Sequence, residues 1–308
     1  MNTNELIMLQ SLPLDIKIAK SKRRIQEWID HYGEDGVYIS FSGGKDSTVL
    51  LDLVRQVNPN IPAVFIDTGL EYPETKEFVK TIDNIITLRP KMSFKQVIEK
   101  YGYPMVSKEQ ATYLDEIRTG TPKLRIRRLE GDSQGRFKLS KKWHYLIDAP
   151  FKVSHRCCNI MKKEPVKRYE RETRRVPFIG TLAEESKLRQ QSYLKTGCNA
   201  FNSKRPNSTP LGFWKEQDIL EYIYVNKLPI NKAYGEIVYT DKYYTTKCER
   251  TGCIFCGFGV HLEKGQNRYQ RLEITHPQLH DYCMNKLGFK EVCEYMNIPY
   301  KREDLKNE

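Results

Sequence analysis

The sequence predicts an α/β protein with a doubly wound, mainly parallel sheet and helices on both faces. Short apolar runs rich in β-branched and aromatic residues occupy 37–41, 63–67 and 85–88, and each has the length of a buried strand. Segments of helical periodicity follow them, from 48 to 57 and from about Pro73. Strands that alternate with helices indicate right-handed crossovers and a parallel sheet, which binds ligands at the carboxyl ends of its strands.

Composition limits the classes of function. The 308 residues, 39% hydrophobic and 29% charged, fit a globular protein of one large or two modest domains. No apolar run approaches the ~20 residues of a membrane helix, and residues 1–14 lack a secretory pattern, so we expect a cytoplasmic protein with no membrane partner. The net charge of +12 indicates an anionic partner such as a nucleotide, a nucleic acid or a phosphorylated substrate.

A glycine-rich turn follows the first predicted strand. It consists of Ser42, Gly43, Gly44, Lys45, Asp46 and Ser47. A strand, a glycine turn and a helix together aim backbone N–H groups and a positive helix end at a phosphate. The glycines allow close approach, the lysine supplies a point charge and the serines supply hydroxyl donors. Asp46 is a candidate metal-facing carboxylate or a helix cap.

These six residues differ from the Walker pattern, Gly-x-x-x-x-Gly-Lys-Ser/Thr. They resemble, at all five fixed positions, the Ser-Gly-Gly-x-Asp-Ser pyrophosphate loop (PP-loop) of the N-type ATP pyrophosphatases, the adenine-nucleotide α-hydrolase superfamily. The resemblance implies a Rossmann-like fold. It also implies binding of ATP or a related adenine nucleotide with Mg²⁺, and cleavage of ATP between the α and β phosphates.

Further segments resemble the phosphoadenylylsulfate (PAPS) reductase branch of that superfamily. Asp67-Thr68-Gly69 and Pro73-Glu74-Thr75 are similar to its Asp-Thr-Gly and Phe-Pro-Glu-Thr block, with Tyr72 in place of Phe. Residues 93–108 are similar as well, and Lys108 is either a phosphate contact or a solvated lysine.

A second block, Gly-x-Arg-x-x-x-Ser-x-x-Arg, is matched by Gly180, Ser186 and Arg189, whereas Leu182 occupies the position where arginine is common. The resemblance therefore implies that one anion contact is missing or supplied elsewhere. It implies catalytic roles for Lys45, Asp46 and Arg189. It further implies nucleotide binding by the PP-loop together with Asp67, Thr68, Gly69, Gly180 and Ser186.

Residues 119–147 are an insertion of different composition. Two segments flank Gly131-Asp132-Ser133-Gln134-Gly135, and this pattern predicts a β-hairpin. Between 123 and 143, eight basic residues stand against two acidic ones, which accounts for half of the net charge. Aromatic residues are interleaved with them. We expect either a surface for DNA or RNA or an ordinary solvated hairpin.

The cysteines are confined to the second half of the chain, which favours metal or redox chemistry over a disulfide framework. Cys253 and Cys256 have a spacing that lets both thiolates reach one metal centre. With the distant pair Cys157 and Cys158 they resemble the [4Fe–4S] ligand set of adenylylsulfate reductases. Three alternatives stay open, namely a cluster with Cys248 replacing one of the adjacent pair, structural zinc on the same residues, and buried inert thiols.

The predicted organisation is a PP-loop α/β domain over 1–240, with the basic hairpin inserted at 119–147. A cysteine-rich helical region over 241–308 packs on it. We expect an ATP-consuming enzyme that adenylates a substrate and uses an iron–sulfur centre for sulfur transfer, possibly to nucleic acid, with a sulfur or electron donor protein as partner. One alternative is a thiol-dependent sulfonucleotide reductase. The intact loop and the lack of a Glu-Cys-Gly-Leu-His tail argue against it. The other is a non-catalytic accessory protein that binds nucleotide or nucleic acid.

Overall fold

The structure is a computed structural model, and it describes residues 1–303. Its strands in this range are β1 (Val37–Phe41), β2 (Ala63–Ile66), β3 (Ile85–Leu88), β4 (Met105–Val106), β5 (Val176–Ile179), β6 (Ile237–Tyr239), β7 (Tyr243–Thr245) and β8 (Gly257–Phe258). Its α-helices are α1 (Thr3–Gln10), α2 (Leu14–Tyr32), α3 (Lys45–Val57), α4 (Pro73–Lys80), α5 (Phe94–Tyr101), α6 (Lys108–Thr119), α7 (Pro122–Glu130), α8 (Glu164–Thr173), α9 (Lys187–Thr196), α10 (Glu216–Asn226), α11 (Arg268–Thr275), α12 (Pro277–Asp281) and α13 (Phe289–Tyr295).

The chain divides into two compact units, and each unit combines separate segments. The first unit contains residues 1–67, 71–89 and 165–251, and the second contains 68–70, 90–164 and the chain from 252 onward. This division differs from the predicted boundary at 240. Segment 90–164 belongs with the C-terminal segment because β4 pairs in parallel with β8. Pairing between strands so distant in sequence leaves no trace in local composition.

The first unit is built on a parallel four-stranded sheet in the order β3-β2-β1-β5. Ile39 of β1 aligns with Ala63 of β2 on one side and with Phe178 of β5 on the other. The parallel pairing of every neighbouring strand confirms the predicted α/β class. The apolar, β-branched composition of β1 suits a central strand that is covered on both faces.

Helices cover both faces of this sheet, as predicted. Side chains alternate between the faces of a strand. Ile39 and Phe65 therefore join a core with apolar residues of α2, α3 and α10. Tyr38 points to the opposite face and packs with Val166 and Tyr169 of α8, with the two tyrosine rings 5.2 Å apart. The central strands β1 and β2 are thus covered by helices on both faces, whereas β3 at the edge of the sheet is only half-buried.

The hairpin predicted at 119–147 is wrong. The structure has α7 in its first half and a 3₁₀-helix at Lys141–Leu146. The Thr121 side chain accepts a hydrogen bond from Leu124 N, Pro122 occupies the first helical position, and Gly131 ends the helix at a φ of +96°. These capping features satisfy the helix ends locally, so the segment needs no partner strand. The glycine-rich turn is real, but it follows a helix.

The second unit is mainly helical, and its cysteine-rich C-terminal part carries α11, α12 and α13. The parallel pair of β4 and β8 aligns Met105 with Gly257. A turn of π-helix at Asn159–Lys163 directly follows Cys158. Across residues 1–303, no helix has both the length and the apolar character that crossing a membrane requires.

Candidate nucleotide site and cysteine pocket

The PP-loop lies at the carboxyl end of β1. That strand has β2 on one side and β5 on the other, so the order of the strands reverses at this point. Such switch points are where open parallel sheets bind ligands. Helix α3 begins at Lys45, three residues earlier than predicted, and it turns its positive N-terminal end toward the loop.

The loop is held closed by its own serines. Ser47 Oγ donates to the Gly44 carbonyl oxygen at 2.8 Å and accepts from Ser42 N at 3.2 Å, and the two serine hydroxyls lie 3.0 Å apart. Gly43 has a φ of +72°, and a Cβ there would lie 2.8 Å from Thr75 Cγ2. The turn therefore requires glycine both for its backbone angle and for the approach of α4.

Lys45 is tied down by residues that are distant in sequence. Its side chain is only 4% exposed, and Nζ lies 2.9 Å from Glu216 Oε1. Nζ also donates to the Glu249 carbonyl oxygen at 2.8 Å, and it lies 5.6 Å from the centre of the Tyr234 ring. The ammonium that was predicted to meet a phosphate thus has a carboxylate partner in this structure.

Asp46 follows Lys45 at the start of α3. Burial raises the pKa of its carboxyl group, although the Lys45 charge acts in the opposite direction. The loop after β5 lies against the backbone of Asp46, because a Cβ on Gly180 would come within 3.0 Å of the Asp46 carbonyl oxygen. The contact joins two of the segments that the sequence analysis assigns to nucleotide binding.

Replacing Gly180 with alanine should therefore disturb the PP-loop. The added methyl would press on backbone atoms, and overpacking of this kind costs about 1–3 kcal/mol. We expect the Kd for Mg-ATP, measured by calorimetry, to rise about tenfold. Gly36→Ala is the matched control, because its methyl would meet only Tyr32 Cβ, at 3.2 Å, beside the opposite end of β1. Equal ATP affinity in both variants would contradict the predicted role of Gly180.

The segment that follows Gly180 carries an ion pair. Ser186 caps α9 by accepting from Arg189 N at 3.3 Å, and the Arg189 guanidinium pairs with Glu185. Burial lowers the pKa of Arg189, and the charge of Arg250 lowers it further. Leu182 is 2% exposed and belongs to the apolar core. No cation therefore reaches the site from position 182.

The Asp67-Thr68-Gly69 segment spans the boundary between the units. In the first unit, Asp67 follows β2 and pairs with Lys76 at 2.9 Å and with Arg89 at 3.5 Å. In the second unit, Thr68 Oγ1 accepts from Leu70 N at 3.2 Å, and Gly69 has a φ of +76°. The nucleotide-binding roles of these three residues stay predictions.

Sequence reasoning missed several residues that contact the PP-loop. Tyr234 OH accepts from Lys45 N at 3.2 Å and lies 2.9 Å from Thr251 Oγ1. Asn231 is fully buried, and its Nδ2 donates to Thr75 Oγ1 at 2.5 Å and to Gly43 O at 3.4 Å. No local pattern marks these residues as loop contacts, since about 190 positions separate them from the loop in the chain.

The second unit contains a pocket lined by four cysteines. Cys157, Cys158, Cys253 and Cys256 line it, together with Leu70, Phe94, Pro104, Met161 and Lys162. Its empty volume is about 320 Å³, counted with its opening to solvent. The structure therefore brings together the two cysteine segments that the sequence analysis grouped. Within residues 1–303, no three or more His, Cys, Asp or Glu side chains form a group suited to a single metal ion.

The pocket stabilises negative charge on one sulfur atom. A hydrogen bond from the Cys157 thiol lowers the pKa of Cys158, burial opposes it, and the charges of Lys108 and Lys162 lower that pKa further. The pKa of Cys157 is raised by the same pairing, and burial raises that of Cys256. Cys248 is not among the side chains that line the pocket. Its thiol donates to the Ala233 carbonyl oxygen at 2.9 Å within the first unit.

The family model for the phosphoadenosine phosphosulfate reductase domain matches the chain in two overlapping segments, 36–130 and 109–257. The chain belongs to this family. The matched range covers more than half of the chain and includes the PP-loop, the segment after β5 and all four pocket cysteines.

The relatives of the chain carry two kinds of description. An uncharacterized protein of Methanocaldococcus jannaschii is 25% identical over 87% of the chain, which spans only 53% of that relative. The adenosine 5'-phosphosulfate reductase of Staphylococcus haemolyticus is 26% identical over 77% of each chain. Among solved structures, the PAPS reductase of Candida auris in a phosphate complex aligns with a TM-score of 0.42 at 16% identity, over 75% of this chain and 90% of that one.

Proposed function

We propose that this PAPS reductase-family protein binds ATP at the PP-loop, adenylates a substrate and transfers sulfur to it. The observation that carries the proposal is the complete Ser-Gly-Gly-Lys-Asp-Ser loop at the switch point of the sheet. The hydrogen bond from Ser47 to Gly44 holds this loop closed, and the N-terminal end of α3 lies at the loop. A nucleophilic oxygen of the substrate attacks the α phosphorus, the bond to the bridging oxygen breaks, and pyrophosphate leaves. In the second step a sulfide-level sulfur nucleophile from a sulfur donor protein attacks the activated atom of the substrate. A bond to sulfur forms, the bond from that atom to the oxygen it shares with the adenylyl group breaks, and AMP leaves with that oxygen.

Each PP-loop residue has a role in this proposal. The backbone N–H groups and the serines hold the β and γ phosphates, and Asp46 orients Mg²⁺ on them. Lys45 and Arg189 neutralise the charge that develops on the leaving pyrophosphate. Gly180 and Ser186 form the adjoining wall of the site. Asp67, Thr68 and Gly69 bind the rest of the nucleotide.

The cysteine pocket supports an iron–sulfur cofactor. Four thiols line one cavity, and thiolate is the ligand that iron–sulfur clusters require. We therefore assign Cys157, Cys158, Cys253 and Cys256 as the ligands of a [4Fe–4S] cluster, with Cys248 as the alternate. Such a cluster would supply a binding site for the sulfur that is to be transferred. Lys108 and Lys162 would balance its negative charge.

The acceptor in this proposal is a nucleic acid, and the basic surface of the second unit supports it. Helix α7 buries none of its residues, and it carries Arg125 and Arg127. Phe137 is 44% exposed, and the centre of its ring lies 5.2 Å from the guanidinium group of Arg127 and 5.5 Å from that of Arg136. Exposed cations around an aromatic ring suit a phosphate backbone and a stacked base.

Neutralising α7 should weaken nucleic-acid binding. We expect Arg125→Gln with Arg127→Gln to lower the affinity for a transfer RNA or a single-stranded DNA. The slope of log affinity against log salt concentration should fall by the amount expected for about two lost phosphate contacts. The matched control is Lys167→Gln with Arg171→Gln, two exposed cations of α8. Fluorescence anisotropy at several salt concentrations makes the measurement. If the two double variants have equal affinity and an equal slope of log affinity against log salt concentration, α7 is not the binding surface.

The central experiment measures products. Protein purified without oxygen is incubated with ATP and Mg²⁺, with and without DNA or transfer RNA, and both pyrophosphate and AMP are quantified. We expect both products, at a rate that rises with the acceptor. Absence of both under every condition would overturn the proposal.

A second candidate function is a thiol-dependent sulfonucleotide reductase. The relatives named adenosine 5'-phosphosulfate reductase favour it. In that reaction a cysteine thiolate attacks the sulfur of adenylylsulfate, AMP leaves, and a second thiol releases sulfite with formation of a disulfide. Release of sulfite from adenylylsulfate, with no pyrophosphate from ATP, would select this function. Nucleotide binding without either product would indicate an accessory protein.

A further inference from the structure

Charges of both signs surround the PP-loop, and most of the positive ones are already engaged. Lys45 lies 2.9 Å from Glu216, and Arg189 pairs with Glu185. An incoming polyphosphate must compete with these carboxylates for both cations. A cation that is close to the loop but weakly held would bind the phosphates at a smaller cost.

Arg250 meets that description. Its Nη1 lies 3.9 Å from Glu185 Oε1, a long separation for an ion pair, and its side chain is 63% exposed. Exposed pairs of this kind contribute little, typically about 0–1 kcal/mol. Glu185 also keeps other partners, because its Oε2 accepts from Leu182 N at 3.1 Å and pairs with Arg189. Arg250 can therefore leave Glu185 without stranding a buried carboxylate.

The residues on both sides of Arg250 hold it beside the PP-loop. The Glu249 carbonyl oxygen accepts from Lys45 Nζ at 2.8 Å. Thr251 Oγ1 lies 2.9 Å from Tyr234 OH, which in turn accepts from Lys45 N. A Cβ on Gly44 would lie 3.5 Å from the same Thr251 oxygen. The chain from 249 to 251 thus runs along the loop, and the charge of Arg250 acts on the carboxyl group of Asp46.

We propose that Arg250 binds the phosphate chain of the nucleotide held by the PP-loop, and that it supplies the cation that position 182 lacks. The inference rests on the proposed nucleotide site. The guanidinium turns from Glu185 to a phosphate oxygen when the nucleotide enters, and Glu185 keeps the hydrogen bond that it accepts from Leu182 N. Guanidinium groups suit this task because they present several donors in a plane that matches phosphate oxygens.

Calorimetry on the full chain tests the inference with three ligands, namely ATP with Mg²⁺, adenylylsulfate and adenosine. We expect Arg250→Gln to raise the Kd for ATP about tenfold or more and to leave the Kd for adenosine unchanged, as loss of a charge-assisted hydrogen bond predicts. Arg250→Lys should restore part of the affinity. Arg23→Gln is the matched control, because Arg23 is 79% exposed and pairs with Glu27 at 3.3 Å on α2.

An ATP affinity within twofold of the wild-type value in Arg250→Gln would overturn the inference. An equal loss for adenosine would also overturn it, since the effect would then not depend on phosphate. If the wild-type protein binds adenylylsulfate but not ATP, the proposed function fails. The inference is then judged on adenylylsulfate, where a loss in Arg250→Gln supports it and an unchanged Kd refutes it. A wild-type protein that binds neither nucleotide refutes both.

Discussion

Asp46→Asn should slow the release of pyrophosphate from ATP about 100-fold or more. Asparagine keeps the shape of the side chain but removes the charge that we propose orients Mg²⁺ on the phosphates, and losing one preorganised electrostatic group commonly costs a factor of about 10²–10³. The measurement is the initial rate of pyrophosphate release at saturating ATP, and the visible spectrum of the proposed iron–sulfur centre should not change. Asp52→Asn is the control, because Asp52 lies on the same helix and binds Tyr222 OH at 2.6 Å.

The dependence on pH adds a second readout. Because burial raises the pKa of Asp46, this carboxylate takes up a proton at a higher pH than an ordinary aspartate. In the proposed site, the ionised form is the one that faces Mg²⁺. Turnover should therefore be present above that raised pKa and be lost as the pH falls through it. The residual turnover of Asp46→Asn should not show this loss at low pH. A variant rate within threefold of wild type would remove Asp46 from the site.

Cys253→Ala should abolish the cofactor. In the proposed cluster, removing one of the four thiolate ligands opens the cluster to solvent and to loss of iron, and we expect iron and acid-labile sulfide to fall below about a tenth of the wild-type content. Both are measured on protein purified without oxygen, together with its visible absorbance. ATP binding at the PP-loop should persist, because Cys253 belongs to the second unit.

Two other cysteines complete the experiment. Cys248→Ala should keep its iron, since that thiol does not line the pocket and donates to the Ala233 carbonyl oxygen. Loss of iron in Cys248→Ala with retention in Cys157→Ala would favour the alternate ligand set. Cys198→Ala is the control for the loss of a buried thiol. Zinc in place of iron in the wild-type protein would contradict the cluster itself.

The fold was predictable wherever local chemistry decides it. Strands β1 and β3 have the predicted bounds, because short β-branched apolar runs between polar turns favour strands, both for the buried β1 and for the half-buried β3 at the edge of the sheet. The prediction failed at α7, where Thr121 and Pro122 start a helix ahead of the turn that was taken as the tip of a hairpin. The sequence also did not reveal which segments form each unit, because the pairing of Met105 with Gly257 joins strands that are far apart in the chain.

In the candidate site too, features set by local sequence could be predicted and features set by long-range contacts could not. Its PP-loop residues could be found because the phosphate-binding turn is local, and the spacing of Cys253 and Cys256 is local as well. The partners of Lys45 could not be found. The Glu216 carboxylate and the Glu249 carbonyl oxygen reach it only through tertiary packing. An isolated glutamate in a sequence is usually solvated, and a backbone carbonyl group leaves no sequence signal at all.

The interleaving of the two units also determines when the cysteine pocket can be completed during synthesis. Cys158 and Cys253 are 95 residues apart in the chain. At about 5–20 residues per second, the ribosome delivers the second pair of thiols roughly 5–20 s after the first. During that interval Cys157 and Cys158 belong to a unit whose C-terminal segment does not yet exist. Loading of the proposed cofactor must therefore wait until Cys253 and Cys256 have been synthesised, and until then the nascent thiols depend on the reducing capacity of their surroundings.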